Sequence, residues 1–532
     1  MSTMDVTGKT HSLSLKKPWA EFGHDKKAIA WLEANAFYDY MRKCRWFAGK
    51  ARTIKFLKVR SLLNMPIEEG LAYLVILHLG YTYGDEEKYA MPVSFLPDDY
   101  ELRGQVNAKA FIVKITVEGK PGWLIDAIYD FRFQVALFEN LWNDASTKQE
   151  NGSIIYHRGK GLAPTDENMC YLCAIPDLEQ SNSSLVYGNK YFFKLYRKLF
   201  QEINPEVEML QFLTEKGGFK NIPAYCGSLT YDRPGIAPIT LGLMMQKVAS
   251  KSDSWASTGD DLNNFLFMFV DKLFGIQDEV FEKVELLGKR TAEMHLALLS
   301  DKKSKAFKPE KFDAAYVQFL QKHLNNLLNK RINLLKENYS RLDENVKQLA
   351  DDFIGSESII RHFFEKIGTS KLKSSRIRIH GDYHLGQVLF TGSDYLVIDF
   401  EGEPESSITD RKIKHSPLKD VAGMIRSFHY AVCAKLYFSS ETQGVNPLRL
   451  QKAADRWYKL ITDAYLDAYM HTMGDISAIF GNRTELNFLL QLHLLEKSVY
   501  ELGYELNGRP DWIRIPLKGI QQVLFEIEKF NS

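Results

Sequence analysis

The chain has 532 residues, too many for one small core, which sets an expectation of two to four domains or one large two-lobed enzyme. Its 68 lysines and arginines balance 67 aspartates and glutamates, so no charge excess marks nucleic acid or an anionic membrane as an obligate partner. Five scattered cysteines suit a reducing compartment; Met1 to Lys17 is polar, and no apolar run approaches the roughly 18 residues of a membrane span, so a cytoplasmic protein is expected. Cys170 and Cys173 form a CxxC pair, but without a second pair or a nearby histidine they read as buried thiols rather than a zinc site.

Along the chain, a helical stretch at Lys27 to Arg42 (apolar Ile29, Trp31, Leu32, Ala36 and Phe37) precedes strand-like runs such as Leu71 to Leu79, a small α+β unit. Ala108 to Thr116 and Pro121 to Ile128 read as further strands, and Thr147 to Ala163 as a loop or boundary. From Leu185 to Leu195 two apolar runs flank Gly188-Asn189, the composition of a tight hairpin turn. Asn204 then caps a helix with Pro205 at its first position, followed by Val207, Leu210 and Leu213. Beyond residue 250 helical periodicity dominates: Asp261 to Gln277, Glu279 to Leu299, Phe312 to Asn338, Glu344 to Ile354, Leu448 to Met473 and Thr484 to Leu506. One β island interrupts them at Ile377 to Asp399. The expected organisation is a domain over 1–105, a second over 106–248 and a helical lobe over 249–532.

The island carries the chemistry. It reads His380-Gly381-Asp382-Tyr383-His384-Leu385-Gly386-Gln387, then Val388-Leu389-Phe390, a polar turn over Thr391 to Asp394, then Tyr395-Leu396-Val397-Ile398 and Asp399-Phe400-Glu401. A hairpin here returns Asp399 to the level of Gln387 and puts an amide oxygen and a carboxylate at one mouth. Mg²⁺ takes hard oxygen ligands, few of them from protein when nucleotide phosphates supply the rest, so Gln387, Asp399 and Glu401 are the candidate metal residues. Asp382, on the preceding loop, is placed to accept the proton of an attacking hydroxyl. The spacing follows the kinase catalytic loop His-x-Asp-x-x-x-x-Asn and its Asp-Phe-Gly metal motif, with Gln for Asn and Glu401 for Gly. A zinc hydrolase using His380, Asp382 and His384 is the rival; a structural hairpin is the bland alternative.

A kinase also needs a strand lysine to hold nucleotide phosphates and a helix glutamate to hold that lysine. Phe192-Phe193-Lys194-Leu195-Tyr196 supplies the lysine within an apolar strand, where it is costly unless paired. Glu206 and Glu208 are both available, and Glu208, one turn inside the helix, is preferred. The loop Glu179-Gln180-Ser181-Asn182-Ser183-Ser184 takes the place of a phosphate loop, with Ser181, Ser183 and Ser184 as candidate donors. Backbone groups around Gln246, at the end of Leu243 to Val248, are candidates for the purine edge. No GxxxxGK[ST] motif occurs, which argues against a P-loop NTPase.

Several segments resemble maltokinases: Arg45-Trp-Phe-Ala-Gly-Lys; Gln180-Ser-Asn-Ser-Ser-Leu-Val-Tyr-Gly to Lys194-Leu-Tyr-Arg; His380-Gly-Asp-Tyr-His-Leu-Gly-Gln; Asp399-Phe-Glu-Gly-Glu-Pro; Ser416-Pro-Leu-Lys-Asp-Val-Ala-Gly-Met-Ile-Arg-Ser-Phe; and Arg509-Pro-Asp-Trp. The Gln at 387 and Glu at 401 match that family's pattern, whereas Lys419 stands where its members commonly have Arg. The resemblance implies an α+β, bilobal protein-kinase-like fold related to aminoglycoside phosphotransferases, with an extra N-terminal α+β cap domain and a mostly α-helical C-lobe. It implies Mg²⁺-dependent transfer of the ATP γ-phosphate to the anomeric hydroxyl of maltose, with a separate trehalose synthase as a partner enzyme. An amino sugar or other small alcohol is the alternative acceptor, and a catalytically silent regulator the alternative class.

For the acceptor, Lys497, Glu501, Tyr504 and Glu505 recur on one helix face, with Arg509 and Trp512 just beyond. Spacing alone fits a solvated face; the resemblance makes Lys497, Tyr504 and Arg509 the expected maltose-pocket residues. Arg411 and His295 are further candidates, each with a competing reading as surface and packed residue respectively. Asp420 reads as structural.

Overall fold

In the computed structural model, which describes residues 12–531 other than 101–103, 105, 177–180, 271–275, 371, 405, 440–445 and 476, the run expected at Leu71 to Leu79 is the middle of a long strand. Ala72 to Leu77 is buried without alternation, as in a strand covered on both faces. The chain divides into two compact units, Met1–Glu215 with Pro223–Val248, and Lys216–Ile222 with Ala249–Ser532.

The first unit runs β1 (Leu13–Leu15), α1 (Lys26–Asn35), α2 (Phe37–Lys43), β2 (Ile54–Ile67), β3 (Gly70–Tyr81), β4 (Glu87–Pro97), β5 (Phe111–Val117), β6 (Lys120–Asp126) and α3 (Phe131–Trp142). It continues through β7 (Ser146–Gln149), β8 (Gly152–Arg158), β9 (Cys173–Ala174), β10 (Ser183–Tyr187), β11 (Tyr191–Leu195), β12 (Lys198–Leu199), α4 (Pro205–Phe212), β13 (Tyr225–Arg233) and β14 (Ile236–Gln246). One sheet has the order β1-β5-β6-β4-β3-β2 with β12 beside β4, and Leu32, Phe37 and Met41 of α1 and α2 share its core with Tyr73, Val75 and Leu77. The other has the order β7-β8-β13-β14-β11-β10-β9. The helix expected at Lys27 to Arg42 is two helices, because Ala36 leaves helical geometry with φ −133°. The loop expected over Thr147 to Ala163 contains β7 and β8, whose buried Ile154 and Tyr156 alternate with half-buried neighbours. Gly188 and Asn189 both have positive φ, 55° and 51°, and close the β10–β11 hairpin as a turn of this composition should.

The second unit is mostly helical: β15 (Ser252–Asp253), α5 (Ser254–Val270), α6 (Asp278–Leu298), β16 (Glu310–Lys311), α7 (Ala314–Asn338), α8 (Glu344–Gly355), α9 (Glu357–Thr369), β17 (Ser375–Arg376), β18 (Val388–Phe390), β19 (Tyr395–Val397), α10 (Ile408–Arg411), α11 (Leu418–Phe438), α12 (Pro447–Met473), α13 (Ser477–Phe480), α14 (Arg483–Gly508) and α15 (Arg514–Asn531). The part of the expected helix Asp261 to Gln277 at 271–275 lies outside the described residues. α6 and α12 cross at Gly288, where a Cβ would stand 2.4 Å from the Tyr465 carbonyl oxygen, so the contact needs glycine. No helix of the described residues is long and apolar enough to cross a membrane.

In the first unit one ion pair ties the chain after β11 to the end of β6. Arg197 Nη2 donates to Asp126 Oδ2 at 2.7 Å, and the Tyr40 hydroxyl donates to the same oxygen at 3.1 Å. The Asp126 and Arg197 side chains are 0% and 1% exposed, and the guanidinium lies 4.8 Å from the Trp46 ring centroid. Removing one partner of such a pair strands a buried charge, at a cost of about 3 to 5 kcal/mol. Asp126→Ala should therefore lower the unfolding free energy of the first unit, read from urea denaturation, by that amount, while Lys17→Ala, which breaks an exposed ion pair, should leave it unchanged.

Candidate active site

In the first unit β11 presents Lys194, and its ammonium donates to Glu206 Oε1 at 2.7 Å. The Tyr196 hydroxyl donates to the other oxygen of Glu206 at 2.9 Å, so this carboxylate, 1% exposed, has both oxygens satisfied. Asn204 Oδ1 accepts the Glu206 N–H at 2.8 Å and starts α4 with Pro205 at its first position. The preference for Glu208 is thereby corrected: residues two apart on a helix point about 200° apart, and the face of Glu206 is the one turned to β11. Ser183 and Ser184 lie in strand β10 rather than in a loop. Ser184 stands opposite Lys194 in register and shares its face, whereas Ser183 points to the other face and accepts a hydrogen bond from Arg197 Nε at 2.7 Å. Ser181 is exposed just before the strand; Glu179 and Gln180 lie outside the described residues. The Gln246 N–H donates to the Ala224 carbonyl at 2.9 Å, so it is not the donor to a purine edge.

In the second unit β18 and β19 form the expected hairpin, Val388 opposite Val397 and Phe390 opposite Tyr395. The Ile398 N–H donates to the Gln387 carbonyl at 3.0 Å, and Gln387 Nε2 donates to Asp399 Oδ2 at 3.1 Å. Asp399 itself adopts φ +64°, uncommon outside glycine, at the point where the chain turns off the hairpin. Arg290 of α6 grips the hairpin turn, donating from Nε and Nη2 to the two Asp394 oxygens, each at 2.8 Å. Gln387, Asp399 and Glu401 thus offer hard oxygen donors on one short segment, a donor set that fits Mg²⁺.

The loop before the hairpin hangs from Asp420 of α11. Its Oδ2 accepts the His380 N–H at 2.8 Å and its Oδ1 the Gly381 N–H at 2.9 Å. Burial pushes the Asp420 carboxyl up, but the hydrogen bond and charge of His295 outweigh this and hold it below the ordinary value. Gly381 has φ +87°, a left-handed backbone conformation that favours glycine. His380 Nε2 faces the Ile398 carbonyl at 2.9 Å, which fixes its proton on that nitrogen. With the ring 1% exposed and turned inward, His380, Asp382 and His384 do not converge, and the zinc reading falls.

Asp382 is met by α14. Lys497 Nζ donates to Asp382 Oδ1 at 3.1 Å and to Glu403 Oε2 at 3.4 Å, and the Tyr500 hydroxyl donates to Glu403 Oε1 at 2.6 Å. The Gly386 N–H donates to His384 Nδ1 at 3.1 Å, so the His384 proton sits on Nε2, facing Asp382 Oδ2 at 3.8 Å. Burial pushes the Asp382 carboxyl up, yet Lys497 first and His384 next hold it below the usual carboxylate range. Burial acts on Lys497 in the opposite sense, but Asp382 and Glu403 hold its pKa above the ordinary lysine value. His384 is lowered, by burial above all, and is neutral at pH 7.

The remaining acceptor candidates separate. Lys497 joins Asp382; Tyr504 and Arg509 do not. Just past the end of α14, more than three turns beyond Lys497, Arg509 pairs with Glu505 at 2.8 Å and lies 4.4 Å from the Trp512 ring centroid and 5.5 Å from that of Tyr504. His295 is corrected: it is 0% exposed, with Nδ1 at 2.9 Å from the Tyr469 hydroxyl and Nε2 at 3.2 Å from Asp420, leaving no nitrogen for a sugar. Arg411 is a brace, donating to the carbonyls of Ser406 at 3.0 Å, Glu401 at 3.4 Å and Pro404 at 2.8 Å. Glu403 and Tyr500 were missed. Their signals were the second glutamate of the Asp399-Phe-Glu-Gly-Glu motif and the position three residues after Lys497 on its helix face.

Comparison with known proteins bears on the fold. Residues 40–130 match the maltokinase N-terminal cap domain. A glucosamine kinase of Streptacidiphilus jiangxiensis is 24% identical over 353 residues, covering 66% of this chain and 73% of the relative. A glucosamine kinase of Mycolicibacterium smegmatis is 30% identical over 149 residues, 28% of this chain and 34% of that one. Among solved structures, a glucosamine kinase in complex with glucosamine, ADP and inorganic phosphate superposes with a TM-score of 0.65 at 18% identity, covering 96% of this chain and 100% of the other. A second crystal form gives 0.63 at 19% identity over 93% and 98%. The chain therefore has a protein-kinase-like fold carrying a maltokinase-type cap.

Lys497 opposes burial at Asp382, so Lys497→Met should leave the burial effect dominant. Asp382 would then titrate at higher pH, becoming protonated sooner as pH falls. A ¹³C-carboxyl NMR titration of both proteins reads this directly; an unmoved Asp382 curve removes Lys497 from its control.

Proposed function

We propose that the chain transfers the γ-phosphoryl group of ATP to a sugar hydroxyl, and that maltose, at its anomeric hydroxyl, is the acceptor. The observation that carries the reading is the Asp382–Lys497–Glu403–Tyr500 cluster next to a kinase-type metal segment. Asp382 is an ionised carboxylate that orients the attacking hydroxyl and takes its proton. Lys194, steered by Glu206, takes nucleotide phosphate oxygens. Gln387, Asp399 and Glu401 would hold Mg²⁺, which supplies positive charge for the phosphate oxygens when bound. Neutral His384 and the Lys497 ammonium present N–H donors to sugar hydroxyls beside the base, and Tyr500 lends an aromatic surface.

Glucosamine, named in the relatives, is the second reading. Asp382 and Glu403 share the single Lys497 ammonium, which leaves the cluster one net negative charge, so an amino sugar's ammonium would find a carboxylate partner there. The maltokinase-type cap is what favours maltose over the amino sugar.

An ADP-release assay over maltose, glucosamine and other sugars tests the reading, with maltose expected to give the highest kcat/KM. Asp382→Asn should lose roughly 10²- to 10⁴-fold in turnover while calorimetry shows ATP binding retained. Lys497→Ala removes a charged hydrogen bond of about 1.5 to 3 kcal/mol and should lower kcat/KM for maltose roughly ten- to a hundredfold, with the KM for ATP unmoved. ATP binding lost in Asp382→Asn would contradict the role of Asp382, and wild-type maltose kinetics in Lys497→Ala that of Lys497.

A further inference from the structure

A cavity of about 820 Å³ lies in the first unit, between the start of β10 and the segments leading into β2 and β5. Lys43, Arg45, Lys50 and Lys109 all line it, and no aspartate or glutamate does so among the described residues. This is not overspill from a basic protein, because the chain as a whole carries a formal net charge of only +1. Lys43, Lys50 and Lys109 are exposed and make no ion pair among the described residues. The buried carboxylate of this region, Asp126, is already committed to Arg197 and Tyr40. The like charges of Lys43, Lys50, Lys109 and Arg45 around one hollow repel one another, whereas an anion in the hollow would relieve that repulsion and accept N–H groups from the three lysines.

The walls add a second property. Phe111 and Tyr129 also line the cavity, and the Tyr129 hydroxyl has no hydrogen-bond partner among the described residues. Aromatic surface suits the C–H face of a sugar ring and a free hydroxyl suits its polar edge. The volume is far larger than a bare phosphate fills. We propose that this cavity is a second ligand site that binds a phosphomonoester of sugar size, the lysines and Arg45 holding the phosphate and the aromatic wall the sugar. It is distinct from the Asp382 cluster, which belongs to the other unit, and its existence does not depend on the reaction proposed there.

The test is calorimetric titration of the full chain, saturated with MgADP to occupy nucleotide-binding groups, with glucose 1-phosphate, inorganic phosphate and glucose in turn. Glucose 1-phosphate should bind and weaken with added salt, and Lys50→Glu/Lys109→Glu should weaken it at least tenfold while Lys497→Ala does not. Both substituted lysines are exposed, and an unchanged thermal midpoint checks the fold; if the reversed charges unfold the unit, Lys50→Gln/Lys109→Gln replaces them with the same expectation. Inorganic phosphate binding as tightly as glucose 1-phosphate, with the same loss in the double variant, would keep the site and make the bare anion its ligand. The proposal is overturned if neither phosphate compound binds, if the double variant keeps wild-type affinity, if glucose binds as well as its phosphate, or if Lys497→Ala abolishes binding.

Discussion

A carboxylate with no access to water holds the candidate active site in shape. Asp420 accepts two consecutive backbone N–H groups, those of His380 and Gly381, and its third contact is His295. Buried N–H groups and a buried charge are each expensive alone; placed together they satisfy one another and fix the loop. The same packing reaches further, since Tyr469 of α12 meets His295, and the buried Tyr383 hydroxyl lies 2.9 Å from Thr291 of α6. The loop is thus bolted to α6, α11 and α12, and the direction of Asp382 follows from that framework.

On this fixed loop the electrostatics are set by α14. A carboxylate at this depth would drift toward its neutral form, and a protonated Asp382 cannot take the proton of a hydroxyl. The Lys497 ammonium prevents this, and it is in turn shared with Glu403, which Tyr500 holds. The arrangement trades some basicity at Asp382 for a charge state that survives burial. In phosphoryl transfer that trade is acceptable, because positioning and charge stabilisation carry more of the rate than proton removal. It also leaves the cluster one net negative charge, two carboxylates against a single ammonium.

Much of this was legible in the sequence because it is local. The polar turn between Phe390 and Tyr395 dictates a hairpin, and a hairpin dictates that Gln387 and Asp399 meet. Gly188-Asn189, and Asn204-Pro205 at the start of α4, were equally readable, since turn and cap chemistry resides in the residues themselves. What was not legible depends on tertiary distance. Glu206 and Glu208 differ only in which face of α4 meets β11. His295 looks available until Tyr469 and Asp420, more than a hundred residues away, take both nitrogens. Tyr504 shares a periodic face with Lys497 and Arg509 follows just beyond it, but a helix reaching Asp382 at one turn carries Tyr504 about 10 Å away and Arg509 about 18 Å away. Strands β7 and β8 hid in a Gly/Asn/Lys-rich stretch whose short alternating pattern was outweighed by its composition.

The central claim is that this framework delivers a phosphoryl group to a neutral sugar at Asp382. ³¹P and ¹H NMR of the full chain with ATP, Mg²⁺ and maltose tests it most directly. The expected result is loss of the γ-phosphate signal with stoichiometric growth of ADP and of a phosphomonoester coupled to the anomeric proton of maltose. ADP formed without any sugar ester, or glucosamine phosphorylated in preference to maltose when both are supplied together, would contradict it.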